Sequence, residues 1–554
     1  MTTESPNDRP DRIGVVTHGS LTGGIEMKLG AGQQVEHVTA GTFAVVQGMT
    51  HDFFCLITDV TIDAANEQIL LYPPGPDETL LRRVMQGMST YATVALKPML
   101  MLPNEGLQDL NDDDPRPVKT VPAHFSPVAR ATKGDVARVF GSAENDPKRF
   151  FDIGTPLGMS EVPVCIDLPR LAERSSAVFG KTGTGKTFVT RLLMAGWIHT
   201  RTAVNLVFDM HSEYGHSARA EGGANVKGLK QLFPSQVRIV SLDPEGSKRR
   251  GGADIEAYLY ADQIEPEDIL PLQSTLNLND TAAESTNLLR RKYGTRWLAT
   301  LLEAEGEGEM EAIAEATNAH PSALSALQRR LRRFERHGFF STEPSKGKVD
   351  VVDEIVQRLE EGKSVIFEFG RYSSLDVYLL VSNVVTRRIR RAWEEKAETY
   401  LQTQHEGDRP HQLVITIEEA HKLLASGIAR ETPFGKIARE MRKYFVSLLI
   451  VDQRPSAIDD EVLSQIGTKF IAQLSDEKDI NAALVGTSGA GSLRSILASL
   501  ESKQQALVLG HAIPMPLVVR TRSYDEAFYK SLGHVDYATI SDEALVAESE
   551  EWFG

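Results

Sequence analysis

Residues 175–200, "SSAVFGKTGTGKTFVTRLLMAGWIHT", are the stretch that decides the fold. The segment "SSAVFG" predicts a strand, and "KTFVTRLLMAGWIHT" predicts a helix soon after it. Between them, Gly180–Thr187 match the whole pattern G-x-x-x-x-G-K-[ST] in the strand–turn–helix context that the pattern requires. A glycine-rich turn that arose by chance is the alternative. We predict a phosphate-binding loop.

The chemistry of such a loop gives each of its residues a role. Glycines allow backbone N–H groups to point at phosphate oxygens, and the helix N-terminus adds its dipole. Lys186 would reach the β- and γ-phosphates, and the Thr187 hydroxyl would bind Mg²⁺. The residues predicted to bind the nucleotide are Gly180, Lys181, Thr182, Gly183, Thr184, Gly185, Lys186 and Thr187. The predicted cofactors are ATP and Mg²⁺.

The chain around this loop alternates strands and helices. The strand "AVNLVFDM" follows the helix and ends at Asp209. Later apolar runs predict strands at 364–369, 412–419, 445–452, 468–474 and 505–510. Near-continuous apolar runs are typical of strands that are covered on both faces. The predicted fold class is α/β, with a RecA-like P-loop NTPase core on a doubly wound parallel sheet.

Changes in composition indicate the domain boundaries. Short glycine-separated strands near the N-terminus predict a β-barrel, and an acidic, proline-containing segment after it predicts a linker. A long stretch without β-strand character predicts a helical insertion inside the core. The predicted ranges are 1–105 for the barrel, 106–149 for the linker, 150–259 and 346–520 for the core, 260–345 for the insertion, and 521–554 for a C-terminal brace and acidic tail.

Two acidic residues end the predicted strand at 412–419. A phosphate-binding loop needs a carboxylate beside it to hold Mg²⁺ and to orient water, and "LVITIEEAHK" supplies Glu418 and Glu419. Glu418 would act on Mg²⁺ through its water shell, and Glu419 would be the general base or water-orienting residue. The alternative is two solvated glutamates at a helix N-terminus, where the helix dipole favours them.

The segment 436–459, "KIAREMRKYFVSLLIVDQRPSAID", places a short basic helix before an apolar strand. If that strand lies parallel to the acidic one, Gln453 points at the γ-phosphate and is a predicted phosphate sensor. Arg439 and Arg442 are three residues apart and are predicted to share one helical face. Because the site already has a lysine, we predict that an arginine of this helix acts in trans on a neighbouring subunit's site. A solvated basic face is the alternative.

Five motifs in this order resemble those of the HerA family of hexameric DNA-translocating ATPases, which are related to FtsK-like motors. They are "GKTGTGKT", "NLVFDMHSEY", "ITIEEAHK", "IAREMRK" and "VDQRPSAIDDEVLSQIGTKFI". The resemblance covers about residues 150–250 and 360–520. It implies an N-terminal HAS-barrel, a homo-hexamer, and ATP-driven passage of DNA through a central pore.

The resemblance also implies roles for individual residues. Arg442 is the best match for the arginine finger that reaches the next subunit. Asp209 and Glu213 fall in a motif beside the active site, and Arg174 falls where the family places an arginine near the nucleotide. The site within one subunit would consist of Lys186, Thr187, Glu418, Glu419 and Gln453.

The partner implied by the resemblance is a nuclease, most often NurA-like, in DNA end processing and repair. A ring that scaffolds and regulates an effector enzyme in antiphage defence is the alternative. A conjugation or packaging ATPase is a weaker reading, because the sequence predicts no membrane span. The motor and the scaffold differ in whether DNA alone stimulates ATP turnover.

A formal net charge of −16 argues against a protein that coats nucleic acid with its outer surface, but allows a basic pore. Any DNA contact is expected to be to the backbone, because no sequence-reading module is recognisable. Basic clusters occur at Arg329, Arg330, Arg332, Arg333 and Arg336, and at Arg387, Arg388, Arg390 and Arg391. Solvated helix faces paired with acids are the alternative for both clusters.

The two cysteines, Cys55 and Cys165, lie in apolar runs and are predicted to be buried side chains in strands. The polar N-terminus carries no apolar segment typical of a signal peptide. A cytoplasmic location without membrane attachment is the expectation.

Overall fold

The chain is described from a computed structural model in which two compact units are found. The described residues are 11–30, 32–64, 77–78, 90–103, 115–219, 225–487, 490–501 and 503–533. The first unit runs to Asp167 and takes in Gly491–Glu501 and Gln505–Thr521. The second unit contains the remaining chain from Leu168 onward.

In the described part of the first unit, seven strands form an antiparallel sheet, and six of them close into a barrel. They are β1 (Arg12–Ser20), β2 (Gly24–Leu29), β3 (Phe43–Gln47), β4 (His51–Ala64), β5 (Thr90–Pro103), β6 (Arg116–Pro117) and β7 (Pro127–Arg130). The strand order is β2-β1-β7-β3-β4-β5-β6, and pairing of β2 with β5 closes the barrel. Alternate residues such as Met27, Phe53 and Val94 point into an apolar interior. The predicted N-terminal barrel is confirmed.

The predicted linker at 106–149 is corrected by the structure. Strand β7 falls in that range and pairs with both β1 and β3, so the barrel extends to Arg130. A helix follows, α1 (Lys133–Phe140), whose N-cap Thr132 accepts a hydrogen bond from the Asp135 backbone N–H. The strands β8 (Phe150–Pro156) and β9 (Val164–Asp167) also belong to the first unit. Residues 104–114, which the prediction assigns to the barrel end and linker, lie outside the described residues.

The second unit is built on a parallel sheet. Its strands are β10 (Ser176–Phe179), β11 (Val204–Asp209), β14 (Val237–Ser241), β15 (Ile255–Glu256), β18 (Ser364–Glu368), β19 (Leu413–Glu418), β20 (Val446–Asp452) and β21 (Thr468–Ile471). Their order is β15-β14-β18-β11-β19-β20-β10-β21. Short pairs are formed by β12 (Ala218–Arg219) with β13 (Asn225–Val226), and by β16 (Leu259–Tyr260) with β17 (Phe340–Ser341). The predicted parallel α/β sheet is confirmed.

Seventeen described helices lie from Leu168 onward, before, between and after these strands. They are α2 (Leu168–Glu173), α3 (Lys186–Thr200), α4 (Leu229–Leu232), α5 (Pro244–Lys248), α6 (Pro266–Ile269), α7 (Asp280–Tyr293), α8 (Trp297–Glu303), α9 (Gly306–Thr317), α10 (Pro321–Leu331), α11 (Val351–Glu360), α12 (Leu375–Thr403), α13 (His421–Leu424), α14 (Pro433–Glu440), α15 (Asp460–Gln465), α16 (Glu477–Ala483), α17 (Ala490–Ser499) and α18 (Glu526–Ser531). Several begin with proline, whose fixed φ suits the first helical position.

Short 3-10 helices complete the secondary structure. They lie at Val35–His37, Ala261–Gln263, Leu270–Leu272, Gly294–Arg296, Arg332–Arg336, Glu406–Asp408, Met441–Tyr444 and Pro455–Ala457. Among the helices that the structure describes, none combines the length and apolar composition that crossing a membrane requires.

The strand predicted at 505–510 exists. It is β22 (Gln505–Gly510), which pairs antiparallel with β23 (Leu517–Thr521). Strand β23 in turn pairs antiparallel with β8, and all three strands belong to the first unit. Apolar runs alone do not distinguish parallel from antiparallel neighbours. Residues 534–554, for which we predict an acidic tail, lie outside the described residues.

Helices α6 to α10 occupy the range predicted for the helical insertion, between the paired strands β16 and β17. The fully buried Trp297 begins α8, and its indole N–H donates to the Ile264 carbonyl at 2.8 Å. The side chain of Asn279 caps α7 by accepting from the Ala282 backbone N–H. Burial of one large aromatic side chain with a satisfied polar atom anchors this segment.

Replacing that anchor is expected to destabilise the second unit. Trp297→Ala would lose packing and leave a cavity, at a cost of about 3–5 kcal/mol in unfolding free energy. The neighbouring Arg296→Ala is the control, because that side chain is 59% exposed and should cost no more than about 0.5 kcal/mol. Thermal unfolding of both variants checks this, and equal midpoints would contradict it.

Candidate nucleotide-binding and hydrolysis site

The predicted loop connects the end of β10 to the start of α3. Gly183 has φ +78° and Gly185 has φ +95°, a region that side-chain-bearing residues rarely adopt. A Cβ at Gly180 would lie 2.6 Å from the Thr184 Oγ1 and 2.8 Å from the Ala472 Cβ. The glycines therefore permit a turn and a close approach that the loop requires.

Lys186 and Thr187 stand at the first turn of α3, facing the loop and the neighbouring strand ends. Lys186 Nζ donates to the Lys181 carbonyl at 2.8 Å. Burial lowers the pKa of Lys186, while the carboxylates of Asp452 and Glu419 act in the opposite direction. The Thr187 hydroxyl donates to the Glu213 Oε2 at 2.9 Å.

Asp209, a predicted catalytic residue, is held by backbone hydrogen bonds. This fully buried carboxylate ends β11 and accepts the backbone N–H groups of Glu213 and Tyr214, each at 2.9 Å. Burial raises the pKa of Asp209 to about 6. Asp209 does not line the cavity described below. Its hydrogen bonds order the turn that brings Glu213 and Tyr214 to the site.

Glu418 ends β19 and is held by Tyr214. Its Oε1 accepts a hydrogen bond from the Tyr214 hydroxyl at 2.8 Å. Its Oε2 is buried and has no hydrogen-bond partner among the described residues. Burial raises the pKa of Glu418 well above its ordinary value, and the nearby charge of Asp209 raises it further.

The residues present fit a Mg²⁺ ion that is held mainly by water and phosphate. The Thr187 hydroxyl, the Glu213 carboxylate and the unpartnered Glu418 Oε2 are hard oxygen donors of the kind that Mg²⁺ prefers. Across the described ranges, no cluster of three or more His, Cys, Asp or Glu side chains has the arrangement of a metal site.

Gln453 connects the loop to Glu419. Its Oε1 accepts from the Thr182 hydroxyl at 2.7 Å, and its Nε2 donates to the Glu419 Oε1 at 3.2 Å. The parallel register explains this meeting, because Phe179 pairs with Asp452 and Glu418 pairs with Val451. The structure therefore brings together three of the predicted site residues at one edge of the sheet.

His421 and Asp452 form a second link between the same strand ends. Asp452 ends β20, is buried, and accepts from the His421 backbone N–H at 2.8 Å and from its Nδ1 at 3.0 Å. The hydrogen bond to Asp452 raises the pKa of His421. Burial would raise the pKa of Asp452, but the hydrogen bonds from His421 and from the Arg454 backbone N–H lower it overall.

A cavity of about 650 Å³ lies over these residues, within the range of about 300–1,000 Å³ that small-molecule sites occupy. Loop residues 182–187 line it, together with the predicted Glu213, Glu418, Glu419 and Gln453. Gly180 and Lys181 shape the loop but do not line the cavity. Further lining residues are Phe188, Arg191, His211, Val226, Val451, Asp452, Lys503 and Gln504.

The predicted arginines lie at the opposite edge of the sheet. Arg442 precedes β20 and Arg174 precedes β10, whereas the loop and Gln453 follow those strands. The seven residues of β20 span about 23 Å at 3.3 Å per residue. Arg174 does not line the nucleotide cavity of its own chain. Arg442 forms an ion pair with Glu173 at that edge.

Arg439 and Arg442 do not share one α-helical face as predicted. Helix α14 ends at Glu440, and Arg442 lies in the 3-10 helix Met441–Tyr444 that follows. Phe445 adopts φ +60° and ends this segment before β20. The Arg439 NH1 atom is buried without a hydrogen-bond partner among the described residues. Neither arginine lines the cavity.

The basic cluster on α12 is paired within the chain. Arg387 is buried and donates to both carboxylate oxygens of Asp268, each at 2.7 Å. The other pairs are Arg388–Asp350, Arg390–Glu394 and Arg391–Glu267. These four arginines therefore neutralise acids of the same chain, which favours the alternative reading over phosphate contact.

In the other basic cluster, Arg332 donates to the carbonyls of Leu302 and Ala304, and Arg333 pairs with Asp376. Arg329 and Arg336 are exposed.

Several residues at this site were not predicted from the sequence. His421 and Tyr214 stand inside the quoted motifs "EEAH" and "HSEY", so their position in the motifs was the available signal. Asp452 ends an apolar strand just before Gln453, as Glu418 does before Glu419. Lys503 and Gln504 line the cavity without any local pattern that could have indicated it.

Comparison with known proteins identifies related chains. Residues 151–389 match the family model described as "Helicase HerA, central domain". The DNA double-strand break repair helicase HerA of Pyrococcus furiosus is 25% identical, over 68% of this chain and 70% of that protein. The protein of the same name from Sulfolobus acidocaldarius is 23% identical, over 73% of this chain and 74% of that protein. These matches confirm the resemblance that the motifs indicated.

Among solved structures, VirB4 of Thermoanaerobacter pseudethanolicus is similar, with a TM-score of 0.44 and 12% identity. The match covers 67% of this chain and 96% of that chain.

Neutralising Glu418 is expected to stabilise the protein without nucleotide. Because the folded-state pKa is raised, the buried charge costs stability once the pH rises above the unfolded-state value of about 4.3. Glu418→Gln keeps the acceptor for Tyr214 and removes that cost. Its unfolding midpoint should exceed the wild-type midpoint by a few degrees at pH 7–8. The gain should shrink as the pH falls from there towards about 4.3.

The control for this prediction is Glu419→Gln, because the Glu419 side chain is 25% exposed and should show no comparable gain. Thermal melts of the three proteins between pH 4.5 and pH 8 measure the effect. A Glu418→Gln gain that does not change with pH would contradict the prediction.

Proposed function

Because this chain carries a HerA-type central domain, we propose that it is an ATPase that drives DNA translocation as a homo-hexamer. The observation that carries the proposal is the chain of hydrogen bonds from Thr182 through Gln453 to Glu419. It joins the phosphate-binding loop to a carboxylate at the place where the γ-phosphate of ATP would lie. The relatives named above are DNA double-strand break repair helicases.

The geometry supports a division of labour among the site residues. The N–H groups of the loop and of the first turn of α3 bind the phosphates. Lys186 exchanges the Lys181 carbonyl for the β- and γ-phosphate oxygens. Glu419 orients the attacking water and accepts its proton, and Gln453 reports whether the γ-phosphate is present.

Magnesium, when bound, neutralises charge on the phosphate oxygens. The Thr187 hydroxyl would hold it directly. Glu418, through its unpartnered Oε2, would hold it through water, and Glu213 would accept from the Thr187 hydroxyl or from a bound water.

The placement of Arg442 favours action on a neighbouring subunit. In its own chain the length of β20 separates Arg442 from the cavity, so a finger role requires a second copy. Arg174 lies at the same edge and would serve the same neighbouring site. Arg439, with its buried NH1 atom, would support this segment from α14. A ring satisfies these requirements if, in each subunit, the edge that carries Arg442 contacts the nucleotide cavity of the next subunit.

DNA would be contacted through its backbone inside the ring, and Arg329, Arg330 and Arg336 remain candidates for such contact. A nuclease of the NurA type is the proposed protein partner in DNA end processing. A ring that regulates a defence effector shares the same site. The two readings are separated by the response of ATP turnover to DNA.

The proposal predicts ATP turnover that rises severalfold with linear duplex DNA, in a protein that light scattering sizes as a hexamer. Glu419→Gln is the blank and should retain nucleotide binding while losing turnover by at least about a hundredfold. A hexamer whose turnover ignores DNA would favour the scaffold reading. Absence of turnover above the blank would overturn the ATPase proposal itself.

Action in trans predicts recovery in mixed rings. Arg442→Ala and Glu419→Gln subunits are each expected to be inactive alone. When they are mixed, an Arg442→Ala subunit's intact site can receive Arg442 from a Glu419→Gln neighbour. ATP turnover should therefore rise at intermediate ratios. Lys443→Ala, an exposed neighbour, is the control and should retain turnover alone, whereas no recovery at any ratio would exclude a finger in trans.

A further inference from the structure

The turn after β19 has an unusual backbone. Glu419 adopts φ +48°, which is costly for a residue that carries a Cβ. Ala420 then adopts helical angles, and α13 begins at His421. Such a conformation persists only where the surrounding structure imposes it. The residues that impose it therefore decide where the Glu419 carboxylate lies.

Asp452 supplies the constraint from the adjacent strand. Its Oδ2 accepts both the backbone N–H and the ring Nδ1 of His421, at 2.8 Å and 3.0 Å. Its Oδ1 accepts the Arg454 backbone N–H at 2.7 Å. Asp452 is 1% exposed, so water does not compete for these bonds. These hydrogen bonds hold the turn that carries Glu419 against the end of β20.

We propose that His421 is a positioning residue for Glu419, acting through its paired hydrogen bonds to Asp452. The inference rests on the proposed function, in which Glu419 orients the attacking water. Gln453 follows Asp452 directly and donates a hydrogen bond to Glu419. The hydrogen bonds between His421 and Asp452 therefore also fix the position of Glu419 relative to Gln453. His421 thus sets the distance between the water-orienting carboxylate and the phosphate-binding loop.

The geometry argues against a direct chemical role for His421. Its Nε2 lies 3.9 Å from the Glu419 Oε2, beyond hydrogen-bond distance. His421 is also not among the residues that line the cavity. Lys422 Nζ lies at the same 3.9 Å from Glu419 Oε2, and its other contact is with the Met210 Sδ at 3.7 Å and not with Asp452. Replacing Lys422 therefore tests whether a positive charge near Glu419 affects turnover in the absence of a hydrogen bond to Asp452.

The experiment compares three variants in the full-length protein, with ATP turnover and nucleotide affinity measured separately. His421→Ala removes the side-chain bond to Asp452. His421→Asn places an amide nitrogen near the position of Nδ1 and keeps that bond without an imidazole. Lys422→Ala removes only the neighbouring charge. Light scattering confirms that each variant keeps the wild-type assembly.

His421→Ala should lower kcat about tenfold to a hundredfold, with KM within about twofold of wild type, since a small misplacement of a catalytic group has that effect. His421→Asn should recover most of the lost kcat, and Lys422→Ala should stay within about threefold of wild type. This split between kcat and KM, with rescue by asparagine, is not expected from a general loss of folding.

Other outcomes overturn the inference in distinguishable ways. If wild type turns over ATP and His421→Ala equals it, the positioning role is wrong while the proposed function stands. Equal losses in His421→Ala and His421→Asn, or in His421→Ala and Lys422→Ala, would also overturn it. A wild-type protein with no turnover above Glu419→Gln would overturn the proposed function and this inference together.

Discussion

The parallel register of β10, β19 and β20 is the constraint on which the site depends. Because the three strands run in the same direction, their carboxyl ends meet at one edge, and each end carries a polar residue or loop. Thr182, Glu419 and Gln453 come from three distant parts of the chain and become hydrogen-bonded neighbours there. A shift of one residue in either pairing would turn the buried side chains of a strand to the other face and separate this group.

That edge concentrates negative charge around one lysine. Its carboxylates are Asp209, Glu213, Glu418, Glu419 and Asp452. Asp209 and Asp452 accept backbone N–H groups, and these hydrogen bonds order the turns at the ends of their strands. Glu418 has no such compensation at its Oε2, and its raised pKa records the cost. A buried carboxylate with an unpartnered oxygen and a raised pKa is typical of a functional site, and a bound cation would balance its charge.

The local parts of this architecture could be predicted from the sequence, whereas the distant pairings could not. The glycine positions of the loop indicate directly where the backbone needs a positive φ or a close approach. The apolar runs of β19 and β20 indicate buried strands, whichever strands lie beside them. An acid at a strand end gives the same sequence signal whether it faces a ligand or accepts backbone N–H groups. The contacts of Asp209 therefore could not be predicted from the sequence. Likewise, Arg387 pairs with Asp268, 119 positions away, and no local pattern distinguishes that pair from a DNA-binding face.

The sheet gives one chain two unlike edges, and under the proposed function a second copy would complete the site. One edge collects the loop and the acids, and the other carries Arg442 and Arg174 at the strand beginnings. Arg442 is engaged there by Glu173, in a pair whose side chains are 54% and 40% exposed. Exposed ion pairs of this kind contribute only about 0–1 kcal/mol. In the proposed ring, Glu173 would hold the arginine in an isolated chain and would release it at little cost to a phosphate on a neighbouring copy.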